Sequence, residues 1–386
     1  MSVSPIDCDQ LMLRNSSHPF STQHKVKKER SFSKRSVKTD VSVFSDVSNL
    51  SNNTPDSLVD GFKFCLNALP VLSRHLNARK TLDDVVDIKH LTDGSNSQIF
   101  AAKVLGSNKG IIIKTVKLNP IDPENTEREF ALEMNVLVRM SHPNIVEYMG
   151  HGSEDGRSFI CLELLKGGSL SSHLQAHKRS NVGGAPFSYE RVLEIGISLA
   201  RALEHIHYKF AEDATVIHRD LKPDNIAFTE SGVLKLIDFG LSTCVKRRES
   251  CNQTYAMTGR TGSPRYMAPE VLMWMQYTEL VDVYSYGLIM WQVATGLVPF
   301  GALTTAECKR RIVLNRERPS LQQLTVEGKD ASVPAPLVDL MGRCWHWKAG
   351  CRPTSIEVVE ELTHLLKRCK AEKQKKGCSF WSFMSR

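Results

Sequence analysis

None of the ten cysteines in this 386-residue chain forms a C-x-x-C pair, and no His/Cys cluster falls at zinc spacing. No zinc site is expected, and a chain of this size has no need of a disulfide framework, so the thiols read as reduced. No G-x-x-x-x-G-K-[ST] loop occurs, which removes the P-loop nucleotide hydrolases. A compact apolar stretch behind a basic start is missing, so no secretory signal is expected. Ser2 in place of glycine excludes myristoylation, and the last four residues form no prenylation box. Long apolar runs are scarce. The longest uncharged stretch, Val283–Ala306, holds Ser285, Tyr286, Gln292 and Pro299, which suits a buried helix and loop better than a membrane span.

The middle of the chain also lacks positive charge. Residues 1–80 carry +5 and residues 367–386 carry +6 of a formal total of +8, which leaves the stretch between them at −3. A nucleic-acid groove in the core is therefore not expected; the cationic ends point to anionic partners. A hydrophobic content of 41% against 24% charged suits a globular protein, and the length allows a two-lobed catalytic domain with tails.

Residues 1–55 are rich in Ser, Asn, Thr and Lys and bury too little apolar surface to offset the entropy of ordering, so a disordered basic tail is expected. Across 56–87, Leu58, Val59, Phe62, Leu66, Leu69 and Leu72 keep a helical period and suggest a helical lead-in. Residues 88–165 read as strands at Ile99–Val104, Gly110–Lys117, Ile145–Gly150 and Phe159–Leu164, interrupted by one helix over Glu124–Met140. After Gly167-Gly168 the pattern turns helical through residue 366, with apolar residues at 192, 195, 199, 203 and 206 marking a helix over Tyr189–Tyr208. Lys329–Pro336 reads as a loop. Residues 367–386 set six cations before Cys378 beside Phe380, Trp381 and Phe383. They read as a solvated tail, with weak contact to an anionic membrane as the alternative.

The chemistry concentrates at His218-Arg219-Asp220-Leu221-Lys222-Pro223-Asp224-Asn225, followed by Asp238-Phe239-Gly240. One base-type carboxylate, a lysine, an amide and a second carboxylate in this order suit a site that binds magnesium and moves a phosphoryl group. Taken singly, Asp220 and Asp238 are ordinary loop acids; together with their neighbours they are not.

Over residues 88–366 the chain resembles a eukaryotic protein kinase. It is most similar to the tyrosine-kinase-like group of serine/threonine kinases, on Thr258-Gly259-Arg260-Thr261-Gly262-Ser263-Pro264-Arg265-Tyr266-Met267-Ala268-Pro269-Glu270 and on Cys344-Trp345 before Arg352-Pro353-Thr354. The resemblance implies an α+β, two-lobed fold: a small antiparallel sheet with one helix over 88–165, and a larger, mainly helical lobe over 166–366. It implies ATP and Mg²⁺ as cofactors, proteins bearing Ser/Thr acceptors as substrates, and a cytoplasmic location, with residues 367–386 as the only membrane-facing candidate.

By the same resemblance, Asp220 orients the acceptor hydroxyl and takes its proton, while Lys222 offsets charge near the γ-phosphate. Asn225 and Asp238 hold Mg²⁺, whose preference for hard oxygen suits an amide carbonyl and a carboxylate. Lys114 in Ile111-Ile112-Ile113-Lys114 grips the α- and β-phosphates, with Glu133 as its partner; Lys117 competes but shifts the register. Leu91-Thr92-Asp93-Gly94-Ser95-Asn96-Ser97-Gln98-Ile99 aligns with the G-x-G-x-x-G-x-V phosphate loop yet keeps only the middle glycine. That depletion leaves a pseudokinase or scaffold as the alternative reading. Leu91, Ile99 and Ile226–Phe228 are expected to wall the base, beneath a gatekeeper Leu162, and the backbone of Glu163 and Leu165 to bond it. Thr258 is the expected phosphorylation site of the activation segment for an upstream kinase, with Arg219 as the phosphate's cation. Lys246-Arg247-Arg248 reads as a solvated face. Asp282 is expected to hold the catalytic-loop backbone, and Arg352 to pair with Glu270.

Overall fold

The computed structural model describes residues 85–384 other than Ser95, Asn108, 118–121, 155–156, 181–183, 249–252, 256–261 and 325–332. The basic tail 1–55 and most of the helical lead-in lie outside the described residues, as do Thr258 and the first half of the Lys329–Pro336 loop, whose last two residues open a helix. All described residues fall in one compact unit.

The upper lobe is a five-stranded antiparallel sheet in the order β1-β2-β3-β5-β4. Its strands are β1 (Val85–Asp93), β2 (Ser97–Val104), β3 (Gly110–Val116), β4 (Tyr148–Glu154) and β5 (Arg157–Glu163). Strand β1 was not expected, and it takes Val85–Asp87 out of the helical lead-in. Its residues after Val85 are all exposed, and register shifts at Val86/Lys89 and His90/Thr92 break the alternation that would reveal a strand. Helix α1 (Pro123–Val138) starts where the Asp122 carboxylate accepts the Asn125 N–H at 3.1 Å and Pro123 presets the first turn. The strand expected at Ile145 begins instead at Tyr148; Ile145 forms a single bridge to Leu236 of the lower lobe.

The lower lobe comprises α2 (Leu170–Ser180), α3 (Tyr189–Glu204), α4 (Pro269–Leu272), α5 (Leu280–Thr295), α6 (Thr305–Val313), α7 (Ala335–Cys344) and α8 (Ser355–Met384). Two short ladders complete it: β6 (Ala214–Ile217) with β9 (Thr243–Lys246), and β7 (Ile226–Phe228) with β8 (Leu234–Leu236). Helix α3 is capped by Ser188 and passes into a π turn, His205–Lys209, where an uninterrupted helix was expected. Helix α5 is apolar nearly all round and buried accordingly; it stops at Gly296, whose φ of 73° needs glycine.

The disordered, solvated tail expected over 367–386 is corrected in its conformation: α8 runs on through it to Met384, with residues 371–375 still exposed. Lys, Ala, Glu and Gln all favour a helix, and extending an existing helix needs no new nucleus. Lys373 and Lys370 both reach Glu190 at the start of α3. No helix among the described residues is long and apolar enough to cross a membrane. The main core joins α1 and the inner face of the sheet to the lower-lobe helices, and a smaller cluster covers the outer face of the sheet.

Candidate active site

Four elements deliver the expected residues to one cleft. Lys114 lies on β3, Glu133 on α1, Asp220 and Asn225 on the loop between β6 and β7, and Asp238 just after β8. Lys114 Nζ donates to Glu133 Oε1 at 2.6 Å and to Asp238 Oδ1 at 2.8 Å. A Cβ built on Gly240 would lie 3.2 Å from Asp238 Oδ1 and 3.3 Å from both Glu133 Oε2 and Lys114 Nζ, so this glycine is where three charged groups converge. Lys117, the competing lysine, lies one residue past β3, and among the described residues it makes no bond to this cluster.

The same cluster sets the charges. Burial works to raise the Asp238 carboxyl, but the adjoining Lys114 ammonium outweighs it and brings the value to about 2. Burial likewise works against the Lys114 cation, and the carboxylates of Glu133 and Asp238 outweigh it, holding the amine above its ordinary range. Glu133 is pushed up by burial, with Lys114 pulling against it. Asp238 and Arg219 both take left-handed backbone, at φ 61° and 67°. Each costs about 1–3 kcal/mol and is held by its neighbours: Ile237 N–H donates to the Asn225 carbonyl at 2.9 Å, and Arg219 N–H to Asp282 Oδ1 at 2.9 Å.

Asp220 is buried and surrounded by donors. Its Oδ2 accepts from Lys222 Nζ at 2.6 Å and from Asn225 Nδ2 at 3.1 Å, and its Oδ1 from Ser263 Oγ at 2.9 Å. Gly262, at φ 109°, would place a Cβ 2.4 Å from the Arg219 carbonyl, so the segment before Pro264 presses directly on the catalytic loop. The Asn225 amide nitrogen also donates to the Asp220 carbonyl at 2.9 Å, which turns its oxygen to other use. That oxygen and the half-exposed, ionised Asp238 carboxylate are two hard donors flanking one cleft, a set that fits Mg²⁺ completed by phosphate and water.

Below, Asp282 accepts the N–H of His218 at 2.8 Å and the N–H of Arg219, and bonds His207 Nε2 at 2.9 Å. Burial tends to raise this carboxyl, but His207 outweighs it and the net shift is downward. The predicted role of Asp282 is met; its partner His207 was missed, since nothing local in the sequence ties it to a residue so far along the chain. Arg352 grips Glu270 through two bonds of 2.6 and 2.9 Å, as expected.

The glycine-poor loop closes as a tight hairpin. Thr92 pairs with Ile99 and Asp93 with Gln98, while Gly94 N–H donates to the Ser97 carbonyl at 2.8 Å. Asp93 Oδ1 ties the turn by accepting from Gln98 at 3.3 Å and bonding His90 at 2.8 Å. Side-chain bonds thus hold a turn in which the outer glycines are replaced; Ser95 at its tip lies outside the described residues. Leu91 is exposed and Ile99 half-buried. Glu163 N–H is taken by the Glu147 carbonyl at 3.1 Å, whereas among the described residues no backbone carbonyl takes the Leu165 N–H.

A family model described as the protein kinase domain matches residues 85–364. The chain belongs to the protein kinase family. Serine/threonine-protein kinase STY46 of Arabidopsis thaliana is 29% identical over 295 residues, covering 75% of this chain and 47% of that protein. Serine/threonine/tyrosine-protein kinase HT1 of Arabidopsis thaliana is 30% identical over 273 residues, 70% of this chain and 63% of that one. Mitogen-activated protein kinase kinase kinase 7 of Homo sapiens is 31% identical over 261 residues, 66% and 38%. The chain spans about half the length of the curated relatives it matches. The resemblance to the tyrosine-kinase-like group is borne out by these relatives, and the kinase domain starts three residues before the expected boundary at 88, where β1 begins.

A further expectation fails in this kinase. Lys246-Arg247-Arg248 is no solvated face beyond Lys246. Arg247 Nη2 donates to the carbonyls of Tyr208, Ala211 and Ala214 at 2.8, 2.8 and 3.1 Å, and Arg248 pairs with the buried Glu279 at 2.6 Å. The guanidinium geometry matches acceptors contributed by a distant turn, which no local pattern announces.

Proposed function

We propose that this chain transfers the γ-phosphoryl group of ATP to serine and threonine hydroxyls of protein substrates. The observation that carries the reading is the convergence of Lys114, Glu133 and Asp238 on Gly240, beside an Asp220 ringed by Lys222, Asn225 and Ser263. Lys114, charged and positioned by two carboxylates, suits the α- and β-phosphates. Asp220 orients the acceptor hydroxyl and takes its proton as the oxygen attacks phosphorus and the bond to ADP breaks. Of the Asp220 oxygens, Oδ2 accepts two of the bonds described and Oδ1 only one, so Oδ1 keeps a lone pair for a substrate hydroxyl. Lys222 offsets negative charge as it develops.

Asn225 and Asp238 would hold Mg²⁺, which when bound supplies neutralisation of phosphate charge. The Ser/Thr preference is supported by Lys222 two residues after Asp220 and by Ser263, and by the printed names of the relatives. The activation segment is proposed as the target of an upstream kinase, with Arg219, whose Nε donates to the Leu241 carbonyl at 2.6 Å, as the cation at its base.

The test uses the full chain with labelled ATP, Mg²⁺ and a generic basic protein as acceptor. The wild type is expected to incorporate label and Asp220→Asn to lose it. Equal incorporation by both proteins would overturn the reading, and none by either would favour the scaffold alternative.

A further inference from the structure

Helix α8 is longer than the partner it packs on. It runs antiparallel to α3: a Cβ built on Gly196 would lie 3.1 Å from Leu362 Cδ1, while Lys370 and Lys373 meet Glu190 in the first turn of α3. Leu362 and Leu365 are buried in the main core, and Leu366 and Cys369 pack against it. Among the described residues, Lys373 makes the last bond from α8 to the rest of the lobe. The helix nevertheless continues to Met384, which carries it about 16 Å past that bond at about 1.5 Å per residue.

The overhang keeps the apolar register of the packed part. Five helical turns take about eighteen residues, so Phe380, Phe383 and Met384 repeat the positions of Leu362, Leu365 and Leu366, and Trp381 adjoins them. Between Cys369 and Phe380 the same register falls on Lys373 and Lys376. From Lys367 to Lys376 six cations stand against one acid, Glu372. Glu190 engages two of them; Lys367, Arg368 and Lys375 are exposed and make no ion pair among the described residues.

We propose that the overhanging end of α8 seats this kinase on an anionic lipid surface. An apolar register that outlasts its partner helix calls for another apolar surface, and the two lysines within the register select its kind. A protein groove that took the stripe would close over Lys373 and Lys376 and strand their charges. At a bilayer boundary, lysine stems lie along the apolar zone while their ammonium groups reach lipid phosphates. Phe380, Trp381, Phe383 and Met384 enter the boundary between headgroups and acyl chains, and the cations of 367–376 face the anionic headgroups. Because α8 is one helix from Ser355 to Met384, docking needs no folding of a loose tail, and it holds the lower lobe at a fixed attitude to the surface.

The test measures co-sedimentation of the full chain with vesicles of phosphatidylcholine, alone or with about 30% phosphatidylserine, at about 0.1 M and about 0.5 M salt. The wild type is expected to bind the anionic vesicles at least about ten-fold more tightly than the neutral ones, and to lose most of that preference at the higher salt. F380S/W381S/F383S and K375E/K376E should each weaken binding at least about ten-fold. Both should melt within about 2 °C of wild type and transfer phosphate to a soluble acceptor at the wild-type rate. K27E/K28E, which reverses as much charge at the other cationic end, should stay within about three-fold of wild type. No preference for anionic vesicles, or wild-type binding by either α8 variant, overturns the proposal. So does a loss in K27E/K28E as large as that in K375E/K376E, since charge anywhere on the chain would then suffice. A clear fall in the melting temperature of the aromatic variant would place that stretch against its own lobe and overturn the overhang.

Discussion

Replacing Lys114 by methionine separates what the lysine does for stability from what it does for phosphate. Lys114 and Glu133 are both buried, their side chains 11% and 2% exposed, and they meet at 2.6 Å. Removing one partner of such a pair leaves a carboxyl in a dry site, at a cost of about 3–5 kcal/mol. Asp238, nearly half exposed, regains water and adds little. A domain of this size loses roughly 2–4 °C of melting temperature per kcal/mol, so K114M is expected to melt on the order of 10 °C below wild type at pH 7. K114M/E133Q, which leaves no buried carboxyl unpaired and only the half-exposed Asp238 without its lysine, should recover more than half of that loss. The K114M deficit should also shrink toward pH 5. Glu133 without its cation has a folded-state pKa above the unfolded one, so its penalty is full at high pH and vanishes as it takes up a proton. Phosphoryl transfer stays at least about a hundred-fold down in both variants, because neither can grip phosphate. Calorimetry and a transfer assay on the three proteins check this. A K114M melting within about 2 °C of wild type, or a double variant melting no higher than K114M, would refute the reasoning.

Ser263→Ala should keep its fold and lower kcat about ten-fold by freeing one Asp220 oxygen, with Ser263→Thr near wild type; an unchanged rate in S263A refutes the role. Glu270→Ala strands the fully buried Arg352 guanidinium and should cost about 3–5 kcal/mol in urea unfolding, a figure under 1 kcal/mol counting against it. His142 accepts the Asn144 N–H on Nδ1 at 3.1 Å, stacks on His205 at 5.0 Å, and is driven down to about 4, first by burial and then by His205. A folded pKa below the ordinary histidine value of 6.5 means stability fully present above that value and lost as pH falls to about 4. His142→Asn, which retains an acceptor, should flatten the fall of melting temperature across that window; a slope equal to wild type would exclude the histidine as its source.

The residues of the site that lie in contiguous motifs were legible because their spacing is dictated by one tight loop; Asp220, Lys222 and Asn225 bond one another across at most five positions. Lys114 and Glu133 were picked out from offsets to neighbouring motifs, and the structure brings the two together as a buried pair. Strand β1 was not legible, since a strand exposed along its length and twice out of register carries no apolar alternation. Nor was the burial of Arg247, whose three carbonyl acceptors come from a turn some thirty positions earlier. The terminal helix was misread because Lys-rich composition resembles disorder; an established helix and the Glu190 carboxylate tip the balance. The hairpin that replaces the glycine loop was legible in outline, and its Asp93 closure was not.

The catalytic loop hangs from Asp282 on α5, the most deeply enclosed helix of the lower lobe, whereas Lys114 rides on the upper sheet. Asp220 therefore arrives prefabricated, and the Lys114–Asp238 contact is a joint between two separately supported halves. A molecule that wedges the lobes apart would part that joint while leaving Asp220 and its bonds in perfect order. Inhibition of this kind would show as lost nucleotide grip with an undisturbed lower lobe.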